Sequence, residues 1–193
     1  MQHKINKSHT VAVFGGAYSF TDEAFKSKAK NSSPIYLNSF EEIFKQVETG
    51  KVDAGIVPLK NSATGGVSTN AVLLKKYNIR IIDEFDYKIR HCLFVRDENI
   101  KEVEHIITHP QALLQCKSFI FHKWPKVSIA LSQSTSDAAM NLKLDNYPKN
   151  TGVICSESAG NFYELKLLYK DIQDNEDNLT TFALIESNKA RTI

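Results

Sequence analysis

The chain has 193 residues, 42% of them hydrophobic and 24% charged, and a formal net charge of +2. That composition describes an ordinary globular protein of one domain or two small lobes, with too little charge to point to a nucleic acid or an acidic partner. No run of 18 apolar residues exists to span a membrane, and Met1–Lys7 lacks the apolar core of a secretory leader. Cys92, Cys116 and Cys155 lie far apart in apolar segments, which predicts buried free thiols in a reducing cytoplasm rather than disulfides or a metal site.

In chain order, Val11–Phe14 reads as a short strand. Phe40, Ile43, Phe44 and Val47 then recur at helical spacing, with Ser39 and Glu42 as a capping box and Gly50 closing the helix. Val52–Leu59 reads as a buried strand ended by Pro58 and a polar loop, Ala71–Tyr77 as a helix and Ile79–Phe85 as a strand. Tyr87–Val95 alternates Ile89, His91 and Leu93 against Lys88, Arg90 and Cys92, the pattern of a half-buried strand. Glu104–Thr108 and Val127–Leu131 are further strands, each followed by a helix, and Thr151–Cys155 and Thr181–Ile185 complete the set. Strands separated by helices predict an α/β protein whose mostly parallel sheet is covered on both faces. The sequence carries no internal repeat.

Polar side chains gather where strands give way to helices: Ser19, Asn61 and Ser62, Gln111, Ser134 and Thr135, and Ser156. Singly, each reads as a helix N-cap worth about 1 kcal/mol. Together they bring several helix N-termini to one edge of a sheet, where free N–H groups favour an anion such as a carboxylate. Other patterns carry little. His105 and His109 sit on an extended segment ended by Pro110 and do not share a helical face for zinc. Gly15-Gly16 lacks the remaining glycines of a dinucleotide fingerprint. Cys116 falls with Leu113 and Ile120 on one helix face, as a core thiol does. Asp171–Asp177 has no calcium-loop spacing and reads as a solvated loop.

Near the end, Asn178-Leu179-Thr180-Thr181-Phe182 follows an acidic run and precedes an apolar strand. It resembles the Asn-x-Thr-Arg-Phe signature of prephenate dehydratases, with Thr181 in the place of the arginine. Four other blocks are similar to that family in order. They are Gly16-Ala17-Tyr18-Ser19; Pro58-Leu59-Lys60-Asn61-Ser62-Ala63-Thr64-Gly65, with Lys60 for a glutamate; Thr108-His109-Pro110-Gln111 with Gln115-Cys116; and Ser134-Thr135 with Ala138-Ala139. The resemblance covers residues from about 10 to 186.

The resemblance implies a two-lobed fold like that of type II periplasmic binding proteins, with a cleft between lobes. Lobe one would hold 9–86 and 178–193, lobe two 87–177, and 1–8 would be a flexible N-terminus. It implies conversion of prephenate to phenylpyruvate in phenylalanine biosynthesis, with no metal or cofactor, in a cytoplasmic protein for which a homodimer is an open option and which engages neither nucleic acid nor membrane. Thr180 would be the catalytic hydroxyl. Ser19, Lys60, Asn61, Ser62, Gly65, Gln111, Thr135, Ser156, Thr181 and Phe182 would bind substrate. Most bacterial relatives in this family continue into an ACT domain that binds phenylalanine, whereas this sequence stops at Ile193. Because Thr181 lacks a guanidinium, two alternatives stay open: decarboxylation of prephenate or a similar cyclohexadienyl acid without dehydration, and non-catalytic binding of a small carboxylate.

Overall fold

The structure is a computed structural model and describes residues 9–29, 31–100 and 102–188; the expected flexible N-terminus lies outside the described residues. Along the chain, β1 (Thr10–Phe14) leads to α1 (Phe20–Lys28), β2 (Ser33–Leu37) to α2 (Phe40–Glu48), and β3 (Ala54–Asn61) to the two-residue β4 (Gly65–Gly66). Next come α3 (Ser68–Lys76), β5 (Ile79–Lys88), β6 (Cys92–Val95), β7 (His105–Thr108), α4 (Pro110–Gln115) and α5 (Lys117–Lys123). The remainder is β8 (Ser128–Leu131), α6 (Thr135–Lys143), β9 (Thr151–Cys155), α7 (Glu157–Phe162), β10 (Lys166–Tyr169) and β11 (Leu179–Ser187). These elements form two compact units. One comprises residues up to Gly16, Phe20–Tyr87 and those from Leu179 on; the other comprises Ala17–Ser19 and Lys88–Asn178.

The first unit's sheet runs β2-β1-β3-β11-β5, with β4 on β3. Its β1 is parallel to β2 and β3, and β11 is antiparallel to β3. The second unit's sheet runs β10-β6-β9-β7-β8, with β7 parallel to β8 and β9, and β6 antiparallel to β9 and β10. Each sheet therefore holds a parallel triplet in the order second-first-third, flanked by a reversed strand, which is the last strand of the first unit and the first strand of the second. Both units share this strand order although the sequence shows no repeat, because the order follows from strand–helix–strand crossovers rather than from matching residues.

Local sequence accounts for much of this. Ser39 accepts the Glu42 N–H at 3.1 Å and starts α2, and Gly50 at φ +72° ends it, with its N–H bonded to the Val47 carbonyl at 3.1 Å. Glycine takes that left-handed position without a Cβ clash. Between these caps Ile43, Phe44 and Val47 are buried against Ala12, Val57, Ala183 and Ile185 of the first sheet. In the second unit, successive residues of β6 enter two different cores: Cys92 and Phe94 in one, Leu93 and Val95 in the other. That corrects the expectation of one half-buried strand over Tyr87–Val95. The run is split between the end of β5 and β6, and all four β6 residues are buried because the strand is covered on both faces.

Three other elements depart from the sequence reading. Strand β2 contains Pro34 and sits at a sheet edge, where a missing N–H costs no ladder bond. Strand β3 runs through Pro58 to Asn61 instead of stopping at Leu59. The helix after β7 is two helices that part at Cys116, whose φ of −120° leaves the helical region. All three cysteines are buried and free, as their apolar settings predict.

Candidate active site

Asn61 and Thr180 are partners across the β3–β11 ladder, and both are buried, at 6% and 7% exposure. The Asn61 amide nitrogen donates to the Thr180 hydroxyl oxygen at 2.9 Å. Asn61 Oδ1 accepts the N–H groups of Ala63 at 2.9 Å and Thr64 at 3.2 Å. That turn fixes which end of the amide is oxygen, since only oxygen accepts from two backbone donors. Thr180 Oγ1 is therefore an acceptor toward Asn61, and its own O–H proton is left to donate elsewhere.

A bulge decides which side chains meet here. Thr180 pairs with Asn61 and Thr181 with Lys60, but Phe182 pairs with Pro58, so Leu59 is an extra residue on β3. An extra residue reverses side-chain parity along the bulged strand. Beyond it, Asn61 shares a face with Thr180 and Phe182. That face belongs to α1: Phe182 stacks with Phe85 on β5, Lys28 of α1 lies 4.7 Å over the Phe85 ring, and Tyr87 donates to Glu23 of α1 at 3.1 Å. Lys60 and Thr181 turn to the face of α2 and α3, with Ala183 and Ile185. Thr181 donates to Asp86 of β5 at 2.5 Å, and Lys60 is exposed.

Asn61 and Ser62 are not at a helix start, as the sequence suggested. Ser62 lies in the turn between β3 and β4, and α3 begins only at Ser68. The Leu179 N–H donates to Ser62 Oγ at 2.9 Å, and the Ser62 N–H donates to the Leu179 carbonyl at 2.8 Å. Ser62 thus ties the start of β11, one residue before Thr180, to the end of β3. Gly65 closes the turn at φ +83°, with open space where a Cβ would stand. Gly65→Ala is expected to lower unfolding free energy by about 1 kcal/mol through backbone strain alone. A rise in KM beyond threefold in that variant would place a ligand against this residue instead.

In the second unit, Gln111, Thr135 and Ser156 follow the carboxyl ends of β7, β8 and β9, which are neighbours in the sheet. Their helices are capped as the plain reading requires. His109 Nδ1 accepts the Gln111 N–H at 3.2 Å, Ser134 accepts the Asp137 N–H at 3.0 Å, and Ser156 accepts the Ala159 N–H at 3.2 Å. Burial holds the His109 pKa below its ordinary value, which keeps Nδ1 an acceptor. Ser156 Oγ also donates to the Tyr18 carbonyl at 3.1 Å, and Ser19 next to it is buried. Tyr18 holds a left-handed φ of 64° and stacks on Phe162 with ring centroids 4.0 Å apart.

One network escaped the sequence reading. His91 is 2% exposed, and its Nε2 lies 2.7 Å from Gln115 Oε1. That oxygen also accepts the Asn178 side-chain amide at 2.8 Å, so the imidazole must be the donor. The Asn178 carbonyl accepts the Ile89 N–H at 2.8 Å, which anchors the chain two residues before Thr180. Burial drives the His91 pKa down to about 4, opposed in part by the bond to Gln115. The alternation read over Tyr87–Val95 treated His91 as one more strand residue, and nothing local marks it as the centre of a network.

Two units with the same strand order and polar side chains at the carboxyl edge of each parallel triplet define an α/β protein of the two-lobed, type II periplasmic-binding-protein-like class. The chain belongs to the prephenate dehydratase family, whose model matches residues 11–190. It is 33% identical to arogenate dehydratase/prephenate dehydratase 2, chloroplastic, of Arabidopsis thaliana over 91% of this chain and 45% of that protein. It is 32% identical to the prephenate dehydratase of Bacillus subtilis over 93% of this chain and 64% of that one. Its fold superposes on the prephenate dehydratase of Arthrobacter aurescens in complex with L-Phe with a TM-score of 0.82, at 28% identity, over 94% of this chain and 61% of the other. The chain thus spans roughly half to two thirds of the length of these relatives.

Proposed function

We propose that this chain is a prephenate dehydratase, converting prephenate to phenylpyruvate, carbon dioxide and water in phenylalanine biosynthesis. Family membership supports the reaction class, and the bond from the Asn61 amide to the Thr180 hydroxyl carries the assignment of the catalytic group. The chemistry asks for a donor at the departing ring hydroxyl. The carboxylate lost as carbon dioxide supplies the electron pair, and aromatisation supplies the driving force. Threonine is too weak an acid to protonate the leaving oxygen unaided, so its role is that of a positioned donor or relay. Accepting from Asn61 polarises the Thr180 O–H and strengthens it as a donor.

Ser62 and Phe182 are assigned to substrate on this reading, as are Ser19, Gln111, Thr135 and Ser156, while Asn61 acts through the Thr180 hydroxyl and Gly65 through the turn it closes. The proposal extends to action in the cytoplasm on a free small molecule, without cofactor. No helix among the described residues is long and apolar enough to cross a membrane.

Incubation with prephenate, following phenylpyruvate absorbance, tests the assignment; a parallel assay with arogenate tests the other substrate that the Arabidopsis relative's name gives. Phenylpyruvate formation is the expected result. Loss of prephenate without phenylpyruvate would replace dehydration by decarboxylation alone, and thermal stabilisation without turnover would leave a binding protein.

Thr181 and Lys60 have a different place in this account from the one their positions in the motifs suggest. An arginine at 181 would lie beside Asp86, on the face away from Thr180. Thr181→Arg is therefore expected to pair with Asp86, to change stability by less than about 1 kcal/mol, and to leave KM for prephenate within about threefold. A tenfold fall in KM would show that the guanidinium reaches substrate around the end of the strand.

A further inference from the structure

We infer that Asn70 is a positioning residue for the Asn61–Thr180 pair, acting through the β3 bulge; the inference rests on the dehydratase reading of that pair. Asn70 lies on α3 and is fully buried. Its side-chain amide donates to the Pro58 carbonyl at 2.8 Å. Pro58 faces Phe182 in the ladder, at the point where the register shifts and Leu59 becomes the extra residue. The paired register of β1 with β3 ends at Ile56, and β4 pairs only with Lys60 and Asn61. The β3 carbonyls between these two stretches need other donors. Asn70 takes that of Pro58, and the Val67 N–H takes that of Leu59 at 2.8 Å.

The bond has a consequence for the site because the bulge sets side-chain parity. With Leu59 as an extra residue, Asn61 stands on the Thr180 face; with regular pairing, Asn61 would turn to the opposite face and Lys60 would stand beside Thr180. The setting of Asn70 makes sense in that light. Its Oδ1 is buried with no partner among the described residues. Such a group weakens a core that an apolar side chain of the same size would fill at no polar cost. Among the described residues, the one bond its side chain makes is to the residue at which the ladder changes register.

The test compares Asn70→Ala and Asn70→Leu with Leu73→Ala, a buried core residue on the same helix. Leucine keeps the volume at position 70 and removes the donor. Both Asn70 variants are expected to lower kcat for phenylpyruvate formation at least tenfold with KM within about threefold, while Leu73→Ala loses thermal stability and keeps kcat within threefold. The Asn61 side-chain amide signals, followed by NMR, are expected to shift or broaden in the Asn70 variants and to hold their positions in Leu73→Ala. Folded Asn70 variants with kcat within threefold of the parent and unmoved Asn61 amide signals would overturn the inference. So would an equal fall in kcat in Leu73→Ala, which would mark a general effect of destabilisation. A parent protein with no turnover would defeat the dehydratase reading, and the NMR arm would still decide whether Asn70 positions Asn61.

Discussion

Thr180→Val lowers kcat for prephenate dehydration by on the order of 10²-fold, with KM changed by less than about threefold. A positioned proton donor contributes about that factor, and a loss confined to kcat marks an interaction made only as the ring hydroxyl departs. Valine keeps the branched shape and strand preference of threonine, so β11 retains its packing. It also removes the acceptor for the Asn61 amide, which is 6% exposed. That unpaired donor is expected to cost about 1 to 2 kcal/mol of stability. Thr180→Ser keeps a hydroxyl at the same place and is expected to restore kcat to within about tenfold of the parent. Steady-state kinetics on the two variants, with melting curves to set the stability cost apart, checks both expectations. A valine variant turning over within threefold of the parent would remove Thr180 from the chemistry.

The second large effect is on stability and comes from His91. Its folded pKa is about 4 because burial penalises the charged ring, against an ordinary value of 6.5. A base whose folded pKa is depressed takes up its proton preferentially in the unfolded chain. Stability is therefore fully present above pH 6.5 and is lost as pH falls toward 4. The gap of roughly 2.5 pH units, at about 1.4 kcal/mol each, is worth about 3 kcal/mol, most of it gone by pH 4.5. His91→Gln removes that titration while offering an amide N–H to Gln115. Denaturant unfolding of both proteins at pH 7 and pH 4.5 isolates the effect, because the carboxylates common to both cancel. The parent is expected to lose about 2 to 3 kcal/mol more than the variant between the two pH values. Equal losses would mean that the imidazole is solvated or already protonated in the folded chain.

Much of this molecule was legible in the sequence, and the illegible parts share a cause. Helix α2 could be read because its caps and apolar spacing are local: Ser39, Gly50 and Ile43–Val47 lie within one stretch. Strands β1, β7 and β9 announce themselves as apolar runs for the same reason. Strands β2 and β10 escaped because neither shows a clear alternation or a long apolar run: β2 carries Pro34, and β10 offers only Leu167, Leu168 and Tyr169 after Lys166.

The candidate site divides along the same line. Asn61 and Thr180 stand out in the sequence as polar groups in recurring blocks, but their pairing across 119 positions depends on a one-residue bulge that no local pattern reveals. Thr180 and Thr181 are adjacent on β11 and so face opposite sides of the sheet, although the resemblance assigned both to the same site. His91, Gln115 and Asn178 are far apart in the chain and meet only after the second unit has folded. A buried histidine within an apolar run looks the same in sequence whether or not it anchors a network.

The most direct test of the account is a double-mutant cycle on kcat for phenylpyruvate formation, using Asn61→Ala, Thr180→Val and the double variant. If the amide acts by polarising and aiming the Thr180 hydroxyl, removing the hydroxyl leaves Asn61 nothing to act on. The double variant is then expected to turn over within about threefold of the slower single variant, as residues that work as one unit do. Losses that multiply across the two sites would contradict the account, because Asn61 and Thr180 would then be acting on substrate independently.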